Sequence, residues 1–321
     1  MKISKIATAD PASRLDNNAK LINEKGLLWR LTDRASETRG KMFIYSSALL
    51  MIVAVIAITL FLMIQGLRAF VVDHLNFWTF ITGTQWYPDR TVNPSYGAFP
   101  FIFGSMAVTF LAALIATPIA IGTAIFMAEL AKKWGTKVMQ PVIEILVGIP
   151  SVVYGLIGLS IIVPFMRQHF GGSGFNLLAG AIVVGIMILP TVASIAADSI
   201  RAVPDSLRQA SYAIGATKWQ TIWRVVIPAA GSSLVTAIVL GMSRAFGEAL
   251  AVQMVIGNVT KLPGSIFDPS ATLTTIITLS MGHSTMGSVL NDALWSLGFL
   301  LLLISYVFIV IIRFLSRRRN A

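Results

Sequence analysis

Cysteine is absent from this chain, which removes disulfides, thiol catalysis and Cys-ligated metal sites together. Histidine occurs only at His74, His169 and His283, in three separate loops, a spacing that forms no metal-binding motif. No metal and no cofactor are therefore expected. Charge is scarce, with 12% of residues ionic against 55% hydrophobic. Acidic residues are the scarcest, 14 against 25 basic ones. No G-x-x-x-x-G-K-[ST] sequence occurs, and GATK at 215–218 lacks both the spacing and the following hydroxyl. Carboxylate pairs and Ser–His–Asp sets placed for hydrolysis are missing too. A non-catalytic polypeptide is expected.

What the chain has in quantity is long apolar sequence. A membrane-spanning helix takes about 20 apolar residues. Six stretches qualify: 42–67, 99–128, 145–166, 175–197, 225–257 and 293–312. The expected fold class is all-α and integral to the membrane, with about six transmembrane helices. Residues 1–41 are polar and of mixed charge, unlike a cleavable signal with its early apolar core, so the first span is expected to be retained.

An even number of spans puts both termini on one side. Twenty Lys and Arg then lie on that side, and only Arg68, Arg90, Arg167 and Lys261 on the other. Positive-inside bias makes the rich side cytoplasmic, and dropping the N-terminal tail leaves that outcome unchanged. The net charge of +11 is thus a topology signal, and nucleic acid is not an expected partner. The chain divides into a cytoplasmic N-terminal tail (1–41), a transmembrane domain (42–315) and a basic cytoplasmic C-tail (316–321). Leu21, Ile22, Leu27, Leu28, Trp29 and Leu31 leave the tail two readings, an interfacial amphipathic helix or a disordered segment. The outer loop 68–98, with Trp78, Trp86 and Tyr87, reads as an aromatic interface belt ahead of a docking surface. GGSG within 167–174 predicts a tight turn, and 258–287 a loop or short re-entrant piece. Pro118, Pro150, Pro164 and Pro190 in or beside spans are expected to bend helices.

Arg244 stands near the middle of the fifth apolar stretch, in SRAFGEALAV, with Glu248 one turn on. It is the one basic residue the sequence does not assign to a surface or a loop. Such a cation usually faces a bundle interior or a water-filled path. A guanidinium there suits an anion in transit, because its planar fork binds two oxygens at once. Four residues apart on one helix, Arg244 and Glu248 are expected to pair, so that arriving anion competes with the carboxylate. A structural ion pair is the alternative. Glu129, Glu144 and Asp198 lie near the cytoplasmic ends of spans and read as structural ahead of gating.

Residues 203–230 are VPDSLRQASYAIGATKWQTIWRVVIPAA. Pro204, Asp205 and Ser206 start a short helix on which Leu207, Ala210, Ser211 and Ile214 share a face. Gly215 is placed to stop it, and Thr217, after Ala216, to cap the next. A short helix lying across the cytoplasmic surface would suit force transmission from a soluble motor.

This segment resembles the EAA loop of ABC-importer permeases, at Gln209, Ala210, Ser211, Gly215 and Ile227–Pro228. YGAFPFIFGSMAVTFLAALIATPIAIGTAIFMAEL, EILVGIPSVVYGLIGL and SRAFGEALAVQMVIGN are similar to the phosphate-specific importer permeases, C-type subunit. That resemblance implies a type I permease domain with a coupling-helix loop at about 199–224, in a prokaryotic plasma membrane (the inner one where there are two). It implies inorganic phosphate as cargo, Arg244 and Glu248 on its pathway, and Glu144, Pro150 and Ser151 as gate or structural residues. Implied partners are a second, A-type permease, an ATPase dimer docking on Pro204–Thr217, an external phosphate-binding protein and membrane lipid. Gln209 stands where the family has an acidic residue, and Ser211 replaces its second alanine. Alternatives are a permease for sulfate, molybdate or phosphonate, or an ion-coupled secondary anion transporter. The latter calls for deep carboxylates and often an inverted repeat. Only Glu248 lies deep, and the halves share no evident repeat.

Overall fold

The long apolar runs are helical, and proline marks some of the places where they deform; Pro118 and Pro190, expected to bend helices, lie instead inside uninterrupted ones. The computed structural model describes residues 11–88, 93–131 and 135–318, with side chains for 40–88, 93–131 and 137–310. The side chains of Arg90, Lys132, Lys133, Arg313, Arg317–Arg319 and the apolar tail residues 21–31 lie outside that set. The chain divides into two units, residues 1–61 and 62–321.

In the first unit the backbone is helical from Pro11 onward, as the start of α1 (Pro11–Val71). From Met42 its apolar side chains are mostly exposed, the state expected of a helix whose solvent is hydrocarbon.

The second unit begins with the end of α1 and continues through α2 (Phe77–Thr82) and a short antiparallel hairpin, β1 (Trp86–Tyr87) with β2 (Ser95–Tyr96). Trp86 is buried here, edge-on to Tyr96 and to Phe101. It is a core residue of the hairpin end, a correction to its expected place in an interface belt; Trp78 is exposed. The chain then runs through α3 (Phe99–Ile125), α4 (Gln140–Gly148), α5 (Ser151–Ile157), α6 (Val163–Phe170) and α7 (Leu177–Arg201). It continues as α8 (Asp205–Ala213), α9 (Lys218–Thr221), α10 (Ile227–Ala229), α11 (Gly231–Phe246), α12 (Leu250–Gln253), α13 (Leu273–Met281) and α14 (Val289–Arg318). The GGSG turn forms between α6 and α7 with Gly171, Gly172 and Gly174 at positive φ. Residues 258–287 contain α13, whose first residues, Leu273 to Ile276, are buried.

Among the described residues, five helical stretches are long and apolar enough to cross a membrane, or six when the bent Lys218–Ala229 and Gly231–Phe246 pair counts as one. Two spans differ from the sequence expectation. The run 145–166 is interrupted: α4 stops at Gly148 and α5 starts at Ser151, with Pro150 extended between them. Proline has no N–H for the carbonyl four residues back. Here the Tyr154 hydroxyl donates to that carbonyl, of Leu146, at 2.8 Å. The run 225–257 bends by 70° at Ala230 and ends at Phe246.

Prolines also account for widened turns. π-helical turns at Gly135–Met139, Gly158–Ile162 and Ile222–Val226 are followed two residues later by Pro141, Pro164 and Pro228. An extra residue in the turn relieves the ring's clash with the preceding carbonyls, so the helix continues. A fourth such turn, Phe126–Leu130, ends the span that begins with α3 and carries Glu129.

Small residues let α3 and α7 approach. Ala112, Ala116, Ala120 and Ala124 recur every fourth residue on α3 and are buried, as are Ala193, Ala196 and Ala197 on α7. In hydrocarbon there is no hydrophobic drive between helices, so such contact surfaces hold by close van der Waals packing.

Candidate functional site

Two guanidinium groups organise this molecule, one of which the sequence did not single out. Arg244 lies in the last turn of α11. That helix comes close to α7 at Gly241, where a Cβ would collide with the Val192 side chain. The approach brings Arg244 to Thr191, whose Oγ1 accepts from Nη1 at 3.1 Å. Arg244 is half-buried. Two elements, α7 and α11, thus meet at this cation.

The expected pairing with Glu248 does not form. The helix ends at Phe246 and turns through Gly247, so Glu248 is no longer one turn above Arg244 on the same cylinder. Its Oε1 accepts instead from the Ala251 amide at 3.2 Å, holding the first turn of α12. Its main-chain carbonyl accepts from Thr274 Oγ1 of α13 at 2.8 Å. A backbone break within an apolar run leaves peptide groups needing partners, and protein side chains supply them here. Among the described residues, the Thr191 hydroxyl is the one hydrogen-bond acceptor on the Arg244 fork.

Arg208 is the opposite case. The positive-inside reading places it among surface charges, yet it is 6% exposed, and its partner Glu129 is 4% exposed. Guanidinium carries five N–H donors, and each has an acceptor. Nε and Nη2 both reach Glu129 Oε1, at 2.9 and 2.7 Å. Nη2 also donates to the Ile200 carbonyl at 2.9 Å, and Nη1 to the Val203 carbonyl and, at 3.1 Å, to Asp205 Oδ1. The two carbonyls lie at and beyond the C-terminal end of α7, where helix carbonyls lack intrahelical donors and a cation is favoured. The sequence carried no signal for this pair beyond the expectation that both residues lie on the cytoplasmic side.

The short helix expected at 204–213 forms as α8. Pro204 precedes it, and Gly215 at φ +84° follows its last turn. Gly215 N–H bonds the Tyr212 carbonyl and Ala216 N–H that of Ser211, a Schellman closure that a left-handed residue makes possible. Thr217 caps α9 through a reciprocal capping box with Gln220. Leu207, Gln209, Ala210 and Ile214 are exposed. Ser211, expected on the same outward face, is turned in: it is buried, with Oγ 2.9 Å from Thr221 Oγ1. One residue past Ala210, it sits where the helix meets α9. Glu144 is exposed on α4 and accepts from Gln140 Nε2 at 3.2 Å, away from Arg208 and Glu129. Pro150 and Ser151 form the α4–α5 break. Asp198 is exposed and pairs with Arg201 at 3.1 Å.

The model of the family "Binding-protein-dependent transport system inner membrane component" matches residues 120–321. The chain is 56% identical, over 93% of its length and 97% of the relative's, to the probable ABC transporter permease protein YqgH of Bacillus subtilis. It is 36% identical to the phosphate transport system permease protein PstC of Pasteurella multocida, over 76% of this chain and 82% of the relative. Its identity to PstC of Xylella fastidiosa is 31%, over 90% and 93%. In fold it resembles a bacterial alginate ABC transporter chain, with a TM-score of 0.62, 16% identity and coverage of 88% of this chain and 96% of that one. It also resembles a chain of the MetNI methionine ABC transporter in inward-facing conformations, at TM-score 0.53, 20% identity and 68% and 93% coverage. A multi-pass helical chain with these relatives belongs to the family of binding-protein-dependent transport system inner membrane components, as a PstC-like permease of the ABC importer type.

Proposed function

We propose that this permease forms, with a second A-type permease, the membrane path for inorganic phosphate, and that Arg244 is its anion waypoint. The observation that carries this is the contrast in donors. Arg208 has every N–H satisfied by protein, whereas Arg244 gives one to Thr191 and presents the rest of its fork beside a helix break. A guanidinium so placed can grip two phosphate oxygens. Relatives named as phosphate transport permeases support phosphate among the oxyanions. Glu248 shapes the break by holding the Ala251 amide, and its negative charge nearby shortens the stay of an anion that must leave again.

The exposed side chains of α8, Leu207, Gln209, Ala210 and Ile214, form the docking surface for the ATPase dimer, with Pro204, Gly215, Ala216 and Thr217 fixing its ends. Ser211 supports that surface from beneath. Gln209 hydrogen-bonds in the ATPase groove where the family's acidic residue would also pair ionically. An external phosphate-binding protein delivers cargo at the hairpin end, and both termini are cytoplasmic. ATP hydrolysis belongs to the ATPase, and Pro150 and Ser151, which follow the helix that carries Glu144, form a bend in the path.

Radiolabelled phosphate uptake by the reconstituted importer, with Arg244→Gln and Arg244→Lys, tests this. Both variants should assemble with the ATPase; Gln should lose uptake and Lys should retain a small part of it. Undiminished uptake in Arg244→Gln would sink the assignment, and failure to assemble would make Arg244 a structural residue.

A further inference from the structure

We infer that the Arg208–Glu129 pair is the strut that carries movement of α8 into the spans. The proposal rests on α8 being the ATPase-docking element. Only Arg208 and Ser211 of α8 are buried, so force applied to its outer face enters the permease largely through these two side chains. Ser211 fastens α8 to Thr221, at the foot of the bent span. Arg208 fastens it to two others: to Glu129, in the π-helical turn that ends the α3 span, and to the Ile200 carbonyl of α7.

The geometry suits a rigid link. Glu129 lies 79 residues from Arg208 in sequence, and one carboxylate oxygen takes two guanidinium N–H bonds. Both side chains are at least nine-tenths buried, at 7% and 3% exposure, which excludes the water that would let the pair slide. Asp205, in the first turn of α8, holds the guanidinium from the other side at 3.1 Å. Buried ion pairs contribute little to stability relative to apolar packing but fix geometry. A strut needs fixed geometry. Lysine could not replace Arg208 here, because a point charge with three donors cannot reach a carboxylate, two carbonyls and Asp205 together.

The test uses the full importer, both permeases with ATPase and binding protein, in proteoliposomes. Phosphate moved per ATP hydrolysed is compared for wild type, Glu129→Gln and the apolar double variant Glu129→Met/Arg208→Met, which keeps packing without the charged link. Each variant should still co-purify with the ATPase and hydrolyse ATP, while phosphate per ATP falls at least tenfold. An unchanged ratio in the assembled variants, even at lower yield, would overturn the strut and leave the pair structural. Loss of ATPase docking in both variants would also overturn it, since the pair would then belong to the docking surface. If the wild-type chain itself recruits no ATPase, the docking role of α8 fails instead.

Discussion

Arg208 and Arg244 are the same residue type in two regions of one molecule, and they are solvated in opposite ways. At the α8 end, the guanidinium is enclosed and all its donors are spent on Glu129, Asp205 and two carbonyls. Deeper in the bundle, Arg244 is half-buried, with one hydroxyl contact at the end of a broken helix. Burial of a cation is costly in both places. In the first, protein acceptors offset that cost and the group becomes fixed. In the second, little protein offsets it, which suits a site meant to be completed by a passing anion. Location in an apolar run says that a charge is unusual; the count of its satisfied donors is what motivates the two proposed roles.

That comparison can be broken at four points. The largest effect is expected from Arg208→Ala, which strands the Glu129 carboxylate in the interior and should cost about 3–5 kcal/mol. Thermal melting of the purified complex measures it, and a drop under about 1 kcal/mol would mean that the pair is hydrated in practice. Next comes Thr191→Val, which removes the one side-chain anchor that Arg244 has among the described residues. A hydrogen bond to a charged group is worth about 1.5 kcal/mol or more, so half-saturation for phosphate should rise about tenfold. Thr191→Ser should restore it.

Gly215→Ala should cost about 1–2 kcal/mol through backbone strain alone. Its φ is +84° and its missing side chain would meet nothing within 4 Å. Asn, which tolerates that conformation, should cost less. The smallest effect concerns Asp73 at the hairpin end. One of its oxygens is buried without a partner. Burial, and then the neighbouring Asp292, raise its pKa above the usual 3.8, against the opposing pull of Arg68 and His74. The folded state therefore binds that proton more tightly than the unfolded state does. Stability from this group is full below 3.8 and is lost as pH rises through the folded-state value. Asp73→Asn should raise the melting temperature at neutral pH, and the gain should disappear on acidification below 3.8. A pH-independent gain would point to hydrogen bonding alone.

Much of this was legible in the chain because it is local. Apolar runs announced spans, and Pro204, Gly215 and Thr217 marked the ends of α8 and α9 through capping chemistry that acts within a few residues. The prolines were only partly informative: Pro150 does interrupt a span, whereas Pro118 and Pro190 lie inside continuous helices, and the widened turns before Pro141, Pro164 and Pro228 were not foreseen. The break after Arg244 was not legible, since Gly247 inside an apolar run is tolerated in many helices and stops this one through contacts from α12 and α13. For the same reason the Arg244–Glu248 pair looked available and is not. Arg208 was misjudged because charge counting treats every cation at a span end as solvated, and its carboxylate partner comes from 79 residues away.

The most direct test of the donor contrast sets Arg208→Gln beside Arg244→Gln in the same purified importer, measuring melting temperature and phosphate uptake for each. Arg244→Gln should melt like the wild type and lose about 100-fold in uptake, the equivalent of two charge-assisted hydrogen bonds. Arg208→Gln should melt several degrees lower. Two variants with the same profile, both destabilised or both transporting, would contradict the account.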